Sequence, residues 1–132
     1  MNFNYCIACA CVLFVLQGCT GLFDETDCTD IAIPGIKVRI LDPDLVIESA
    51  VVKVEEQDFV DEFRFSIGDG QVPFAMSLYE IGLAVERSGI YNITVESPGF
   101  NRWERRAVEV VDEDRCHVRP VEVDVVLQPD IG

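Results

Sequence analysis

The side chain best suited to acid–base chemistry is His117, the single histidine of the chain. Hydrolysis by a hydroxyl or thiol nucleophile needs a base beside it and a third group that orients the base. His117 directly follows Cys116 and stands at the start of a strand-like segment, where a hydrogen-bonded or surface histidine is the commoner case. We therefore expect no catalytic residues and no enzyme activity.

Metal binding would have to use carboxylates, because one histidine gives no His-x-x-x-His pair. Acidic residues crowd two connections between predicted strands: Glu55, Glu56, Asp58, Asp61 and Glu62 in one, and Asp112, Glu113 and Asp114 in the other. Their oxygens suit Ca²⁺, but the spacing matches no EF-hand loop. Solvated acidic loops are the preferred interpretation, with calcium binding as the alternative, and we expect no metal site and no cofactor.

An aromatic and basic segment is the best candidate for binding. Trp103 and Phe100 follow a Pro-Gly turn, and Arg102, Arg105 and Arg106 form the local basic cluster of an acidic chain. A tryptophan in such a segment can stack on a sugar ring or anchor a partner protein. The candidate binding surface is therefore Phe100, Arg102, Trp103 and Arg105. The alternative is that both aromatic residues cover the core.

Strand signals fill the chain after residue 34. Alternation of apolar and polar residues predicts half-buried strands. These lie around Ile36 to Ile40, Ala50 to Val54 and Phe63 to Phe65, and over residues 79–86, 90–97, 105–111 and 121–127. Asp42-Pro43-Asp44 and Gly68-Asp69-Gly70 are turn signals. Residues 76–85 are the one candidate helix, and Gly82 with its β-rich neighbours counts against it.

The most specific stretch is GIYNITVESPGFNRW, from Gly89 to Trp103. A Gly-x-Tyr-x-x-x-Val strand, a Pro-Gly-aromatic turn and a second charged strand resemble the end of a carboxypeptidase regulatory-like domain. The resemblance implies an all-β, antiparallel, Greek-key sandwich of about seven strands, transthyretin-like (prealbumin-like). Such modules are usually non-catalytic and occur in secreted and envelope proteins.

The start of the chain looks like an export signal. Residues 5–16 are an apolar run, too short to span a membrane but right for a signal peptide. Leu16-Gln17-Gly18-Cys19 resembles the lipobox of bacterial lipoproteins, which implies lipidation of Cys19 after removal of residues 1–18. Alternatives are an ordinary signal peptide cut near Gly18 or Gly21, or an uncleaved anchor. Residues 19–34 are predicted to form an acidic tether, and residues 35–132 the sandwich.

Cysteine use follows from this prediction. Three of the six cysteines leave with the signal peptide and Cys19 carries lipid, so Cys28 and Cys116 remain. An exported chain most simply pairs two remaining cysteines. The resemblance to carboxypeptidase regulatory-like domains also implies a disulfide between these two positions. The alternative is two free buried thiols.

The net charge of −14 lies wholly after residue 23. Phosphate binding needs a basic face, so nucleic acid is not an expected partner. Direct attraction to anionic lipid is also disfavoured, which leaves the lipid on the N-terminus as the membrane contact. We expect a lipid-anchored envelope protein of the bacterial cell, at the outer membrane, that binds an unidentified envelope protein or glycan. The alternative function is a carbohydrate-binding module that uses Trp103 and Phe100 for stacking.

Overall fold

The computed structural model describes residues 28–68 and 76–132. Cys19, the predicted signal peptide, most of the predicted tether, and Asp69 and Gly70 lie outside the described residues. The described part is all-β, and within it no helix is long and apolar enough to cross a membrane. Its strands are β1 (Pro34–Leu41), β2 (Ser49–Glu56), β3 (Phe59–Ser66), β4 (Leu78–Val85), β5 (Gly89–Glu96), β6 (Trp103–Val110) and β7 (Val121–Val125).

Alternation along each strand explains which face is buried. In β1, Ile36, Val38 and Ile40 are completely buried, whereas Lys37 and Arg39 between them are partly exposed. Successive side chains of a strand point to opposite faces, so this sequence pattern commits one face to a core. The rejected helix at residues 76–85 is indeed strand β4.

The strands form two sheets packed as a sandwich, in the orders β4-β1-β7 and β3-β2-β5-β6. Neighbouring strands are antiparallel in every pair except β1 and β7, which run parallel. The sequence predicted an antiparallel sandwich and did not reveal this one parallel pair. The physical reason is the connection after β6. Residues 111–120 cross to the other sheet at the end where β1 begins, and β7 therefore starts beside Ile36 and runs in the same direction.

The core lies between the sheets and consists mainly of β-branched residues with a few aromatics. Phe65 and Tyr79 stack across it, with ring centroids 4.6 Å apart. Tyr91 is fully buried, its hydroxyl donates to the carbonyl of Arg87, and burial raises the pKa of this phenol. Each fully buried apolar side chain of the core stabilises the fold by roughly 1.5–3 kcal/mol relative to the same side chain exposed to water.

The two ends of the sandwich differ. The stapled end contains the start of β1, the end of β6 and the disulfide between Cys28 and Cys116, whose Cα atoms are 5.3 Å apart. This bond confirms the predicted pairing. The loop end contains residues 42–48 and 97–102, together with the start of β4.

Candidate functional site

The turn after β5 is built from short-range hydrogen bonds. Phe100 N–H donates to the Ser97 carbonyl over 3.1 Å, and Gly99 occupies a left-handed conformation with φ of 81° that favours glycine. Ser97 is buried, and its hydroxyl donates to the Ser49 carbonyl on β2. The turn is thus attached to the sheet and fixes where Phe100 lies.

A second set of contacts holds the turn from the C-terminal side. Asn101 N–H donates to the Gln128 carbonyl and Asp130 N–H donates to the Gly99 carbonyl, over 2.8 and 2.9 Å. Phe100 and Pro129 form an isolated antiparallel bridge. Because both sides of the turn are hydrogen-bonded, Phe100 is presented by a rigid support.

Strand register divides the predicted binding surface in two. Trp103 pairs with Val95 and Arg105 with Ile93, so both lie on the inner side of their sheet at its edge. Arg102, one residue earlier, belongs to the outer side, where its Nε lies 3.4 Å from Glu96 Oε1. The four predicted residues therefore do not form one continuous surface.

The two aromatic residues also differ. Both are partly buried and pack against the core. Phe100 nevertheless lines an open groove together with Arg102, whereas Trp103 does not. The structure therefore retains Phe100 and Arg102 as candidate site residues and gives Trp103 a packing role.

The groove is formed on the outer face of the larger sheet, at the loop end. It has a volume of about 410 Å³, and a smaller hollow of about 270 Å³ adjoins it and shares Val51, Glu96 and Pro98. We call the two together the turn groove. Its lining is Ser49, Ala50, Val51, Arg64, Phe65, Ser66, Glu96, Ser97, Pro98, Phe100 and Arg102.

Charges in the turn groove are arranged across the strands. Val51 pairs with Arg64 on one side and with Glu96 on the other. Arg102 lies beyond Glu96, so two arginines flank an apolar centre. Each arginine already has an exposed ion pair, Arg64 with Glu62 and Arg102 with Glu96. Exposed pairs of this kind contribute about 0–1 kcal/mol, so a ligand can compete for either guanidinium at little cost.

Sequence reasoning missed Val51 and Arg64 as site residues. They come from β2 and β3, far from the turn in the chain, and meet it only through sheet pairing. One local signal was present, because Val51 is an apolar residue in the outward row that also holds Lys53 and Glu55.

The predicted acidic loops serve other purposes. Asp61 Oδ2 accepts the Ala84 N–H on β4, and Asp114 Oδ1 accepts the N–H groups of Cys116 and His117, which lower the pKa of that carboxyl. Glu56 Oε1 accepts the Ile90 N–H. Within residues 28–68 and 76–132, no three His, Cys, Asp or Glu side chains are placed to hold a metal ion together.

His117 makes contacts that the sequence did not reveal. Its Nε2 lies 2.8 Å from Thr29 Oγ1, and its Nδ1 lies 2.8 Å from Glu86 Oε1. A hydroxyl, an imidazole and a carboxylate in this order are the geometry that triad hydrolases use. The turn groove lies at the opposite end of the sandwich from this cluster.

The contacts of Glu86 explain the cluster as a structural junction. Its carboxylate accepts N–H groups from Ile33 and Val118 in addition to the contact with His117. The hydrogen bond from His117 is the main cause that lowers the pKa of Glu86, supported by these backbone donors. The hydrogen bonds of Glu86 attach the segment after Cys28 to the loops before β5 and β7.

Comparison of the chain with protein-family models finds no match, and comparison with curated proteins finds none either.

Proposed function

We propose that the chain is a bacterial envelope lipoprotein, anchored through lipid on Cys19. Its carboxypeptidase regulatory-like sandwich would bind another envelope component without catalysis. One observation carries the proposal: the chain enters the sandwich at the stapled end, and the turn groove lies at the other end. An N-terminal anchor would therefore leave the groove facing away from the membrane.

The dimensions of the sandwich support this arrangement. Strands β1, β2 and β5 each contain eight residues. At 3.3 Å per residue they extend roughly 26 Å from one end of the sandwich to the other. A lipid-anchored chain would thus hold the turn groove beyond the width of its own fold, and we propose the outer membrane as the site of the anchor.

Crosslinking in the native host tests the binding function. A photoreactive residue replaces Arg102 in the turn groove, and a matched control replaces Ile90, which is exposed near the stapled end. We expect a discrete adduct from position 102 and none from position 90. Equal capture at both positions, or no adduct at either, would contradict binding through the loop end.

The membrane anchor is tested separately. Cys19→Ser should move the chain from the membrane fraction to the soluble fraction and remove the acyl mass from the intact protein. A Cys19→Ser chain that stays with the membrane would contradict lipidation at this residue without bearing on the groove.

The alternative function is carbohydrate binding, which the position of Phe100 favours. A ring at the edge of a groove with Val51 at its centre and hydroxyl groups from Ser49 and Ser66 nearby offers stacking and hydrogen bonding to a sugar. Trp103 was the other predicted stacking residue, and it packs on the inner side.

Two alanine variants distinguish the roles. Phe100→Ala should reduce retention of the full chain on insoluble envelope polysaccharide by tenfold or more. Trp103→Ala should lower the melting temperature while retention of the folded fraction persists. Retention that survives Phe100→Ala in the folded protein would remove the carbohydrate hypothesis.

A further inference from the structure

The edges of the two sheets are not equally protected. A strand at a sheet edge offers unpaired N–H and C=O groups to any other extended chain, and proteins block most such edges with bulges, kinks or inward-pointing charges. Here the edge strands are β3 and β6 of the larger sheet, and β4 and β7 of the smaller one.

Strands β3 and β4 protect each other. Asp61 on β3 pairs with the buried Val54 and so projects toward the inner side, where its Oδ2 accepts the Ala84 N–H of β4 over 2.9 Å. Ala84 itself has a φ of 52°, which kinks β4 at that point. This hydrogen bond therefore occupies the Ala84 N–H of the edge strand β4. It also places the charge of Asp61 where an added strand would lie.

Strand β6 is interrupted by a bulge. Its pairing with β5 shifts between Tyr91 and Ile93, and Ala107 in the shifted part has a φ of 54°. Ala107 N–H donates to the Asn92 side-chain oxygen instead of continuing the ladder. Arg105 adds an inward-pointing charge on the same strand.

Strand β7 has none of these features. Val121, Val123 and Val125 face inward, Glu122 and Asp124 face outward, and no residue of β7 has a positive φ. In the part of the chain that the structure describes, no strand pairs with the side of β7 that faces away from β1. Val126 follows in the outer row and is 52% exposed. A regular, unblocked edge of about five residues results.

The charge of this edge restricts its partner. Glu122 and Asp124 share one cation, Arg39, whose nitrogens lie 3.5 Å from Glu122 and 2.6 Å from Asp124. Antiparallel pairing of two copies centred on Val123 would place Glu122 opposite Asp124 of the second copy. Like charges directly opposite destabilise a strand pair, so a second copy of this chain is a poor occupant.

We propose that the β7 edge accepts an extended basic segment of a partner protein as an added strand. Its backbone would pair with β7, and alternate Lys or Arg side chains would lie beside Glu122 and Asp124. The turn groove is on the other sheet, so this inference does not rest on the proposed groove function.

Peptide binding to the full chain in detergent tests the proposal. The probe is the fluorescent, blocked peptide Lys-Thr-Lys-Val-Lys-Thr-Lys. One control peptide carries Glu in place of each Lys, and another keeps the charges but has Pro at the central Val, because proline lacks the N–H needed in a ladder. We expect binding of the probe, at least tenfold weaker binding of the proline peptide, and none of the acidic one.

A second experiment reverses the charges of β7 in the protein and repeats the peptide-binding measurement. Glu122→Lys combined with Asp124→Lys should weaken probe binding at least tenfold and create binding of the acidic peptide. The matched control is Glu80→Lys, an exposed residue beside Arg39 on the opposite edge strand β4, which should change affinity less than twofold. If the double variant fails to fold, Glu122→Gln provides a milder test and should weaken binding by a few fold.

Amide hydrogen exchange locates the site. Bound probe should slow exchange within residues 121–125 and leave β6 unchanged. Equal binding of the proline peptide, equal weakening by Glu80→Lys, or protection of β7 through dimerisation without peptide would each overturn the proposal.

Discussion

The two ends of this sandwich are held by different kinds of interaction. The stapled end has a disulfide and the Glu86 carboxylate, which joins three segments of chain. The loop end has no covalent link among the described residues, and its loop of residues 42–48 is organised by the buried carboxylate of Asp42. Exposed apolar residues lie at both ends: Leu41, Leu45, Val46, Met76 and Leu78 at the loop end, and Ile31, Val60, Val85, Ile90 and Val111 at the stapled end.

This difference suggests that the stapled end attaches the sandwich to its tether and that the loop end contacts a partner. The end where the chain enters is crosslinked by the disulfide and by the hydrogen bonds of Glu86, which suits a connection to a tether. The other end presents Phe100 on a turn that is hydrogen-bonded from both sides, at the margin of the turn groove, which suits contact with a partner. Four substitutions test how far the two ends are independent.

The largest effect is expected from removing the disulfide at the stapled end. Cys28→Ser with Cys116→Ser opens a connection between residues 88 positions apart. The chain-entropy model gives a loss of about 4–5 kcal/mol in the free energy of unfolding. Urea denaturation of both proteins measures it. A loss below about 1 kcal/mol would mean that the noncovalent contacts alone hold this end.

The next effect is expected at the loop end. Asp42 is 2% exposed, and its two carboxylate oxygens accept the N–H groups of Val46 and Ile47. Asp42→Ala leaves both donors without this acceptor and should cost about 2–3 kcal/mol. Asp44→Ala, in the same loop but exposed, is the control and should change the free energy of unfolding by less than about 0.5 kcal/mol. Equal effects of the two variants would refute the role given to Asp42.

A smaller effect of opposite sign is expected at Leu45. This residue has a φ of 55°, a conformation that costs a non-glycine residue roughly 1–2 kcal/mol, and its side chain is half exposed. Leu45→Gly should therefore stabilise the fold by about 0.5–1 kcal/mol once the extra flexibility of unfolded glycine is included. Val46→Gly is the control and should destabilise. Thermal melts would show whether the two changes have opposite signs.

The smallest expected effect is a change in pH dependence at the stapled end. Glu86 has a pKa lowered below 4.5 by the hydrogen bond from His117, so its contribution is present above that pH and is lost as pH falls through the folded-state value. Glu86→Gln should make the loss of stability as the pH falls below 4.5 shallower. Glu109→Gln, an exposed change on β6, is the control. An unchanged acid slope in Glu86→Gln would contradict this link.

Strand positions could be predicted because the evidence for them is local. Each of the seven strands overlaps a predicted segment, since alternation needs only neighbouring residues. The parallel direction of β7 could not be predicted in the same way. It depends on where residues 111–120 cross between the sheets, which is a property of the whole chain.

The candidate site was only partly predictable for a related reason. The predicted sixth strand began at Arg105, so Arg102 and Trp103 looked like loop residues that could share a surface. In fact β6 begins at Trp103, and strand alternation sends the two to opposite sides. The partners of His117 were hidden because Thr29 and Glu86 lie 88 and 31 residues away.

The disulfide also determines which part of the chain bears a pulling force. A pull on the chain ahead of Cys28 passes directly into Cys116, bypassing the hydrogen bonds that join β1 to β4. Strands β1 to β6 lie between the two cysteines and are shielded from a load applied across the ends of the chain. Only the segment after Cys116, with β7, would be stretched, so one covalent bond makes most of the sandwich mechanically passive.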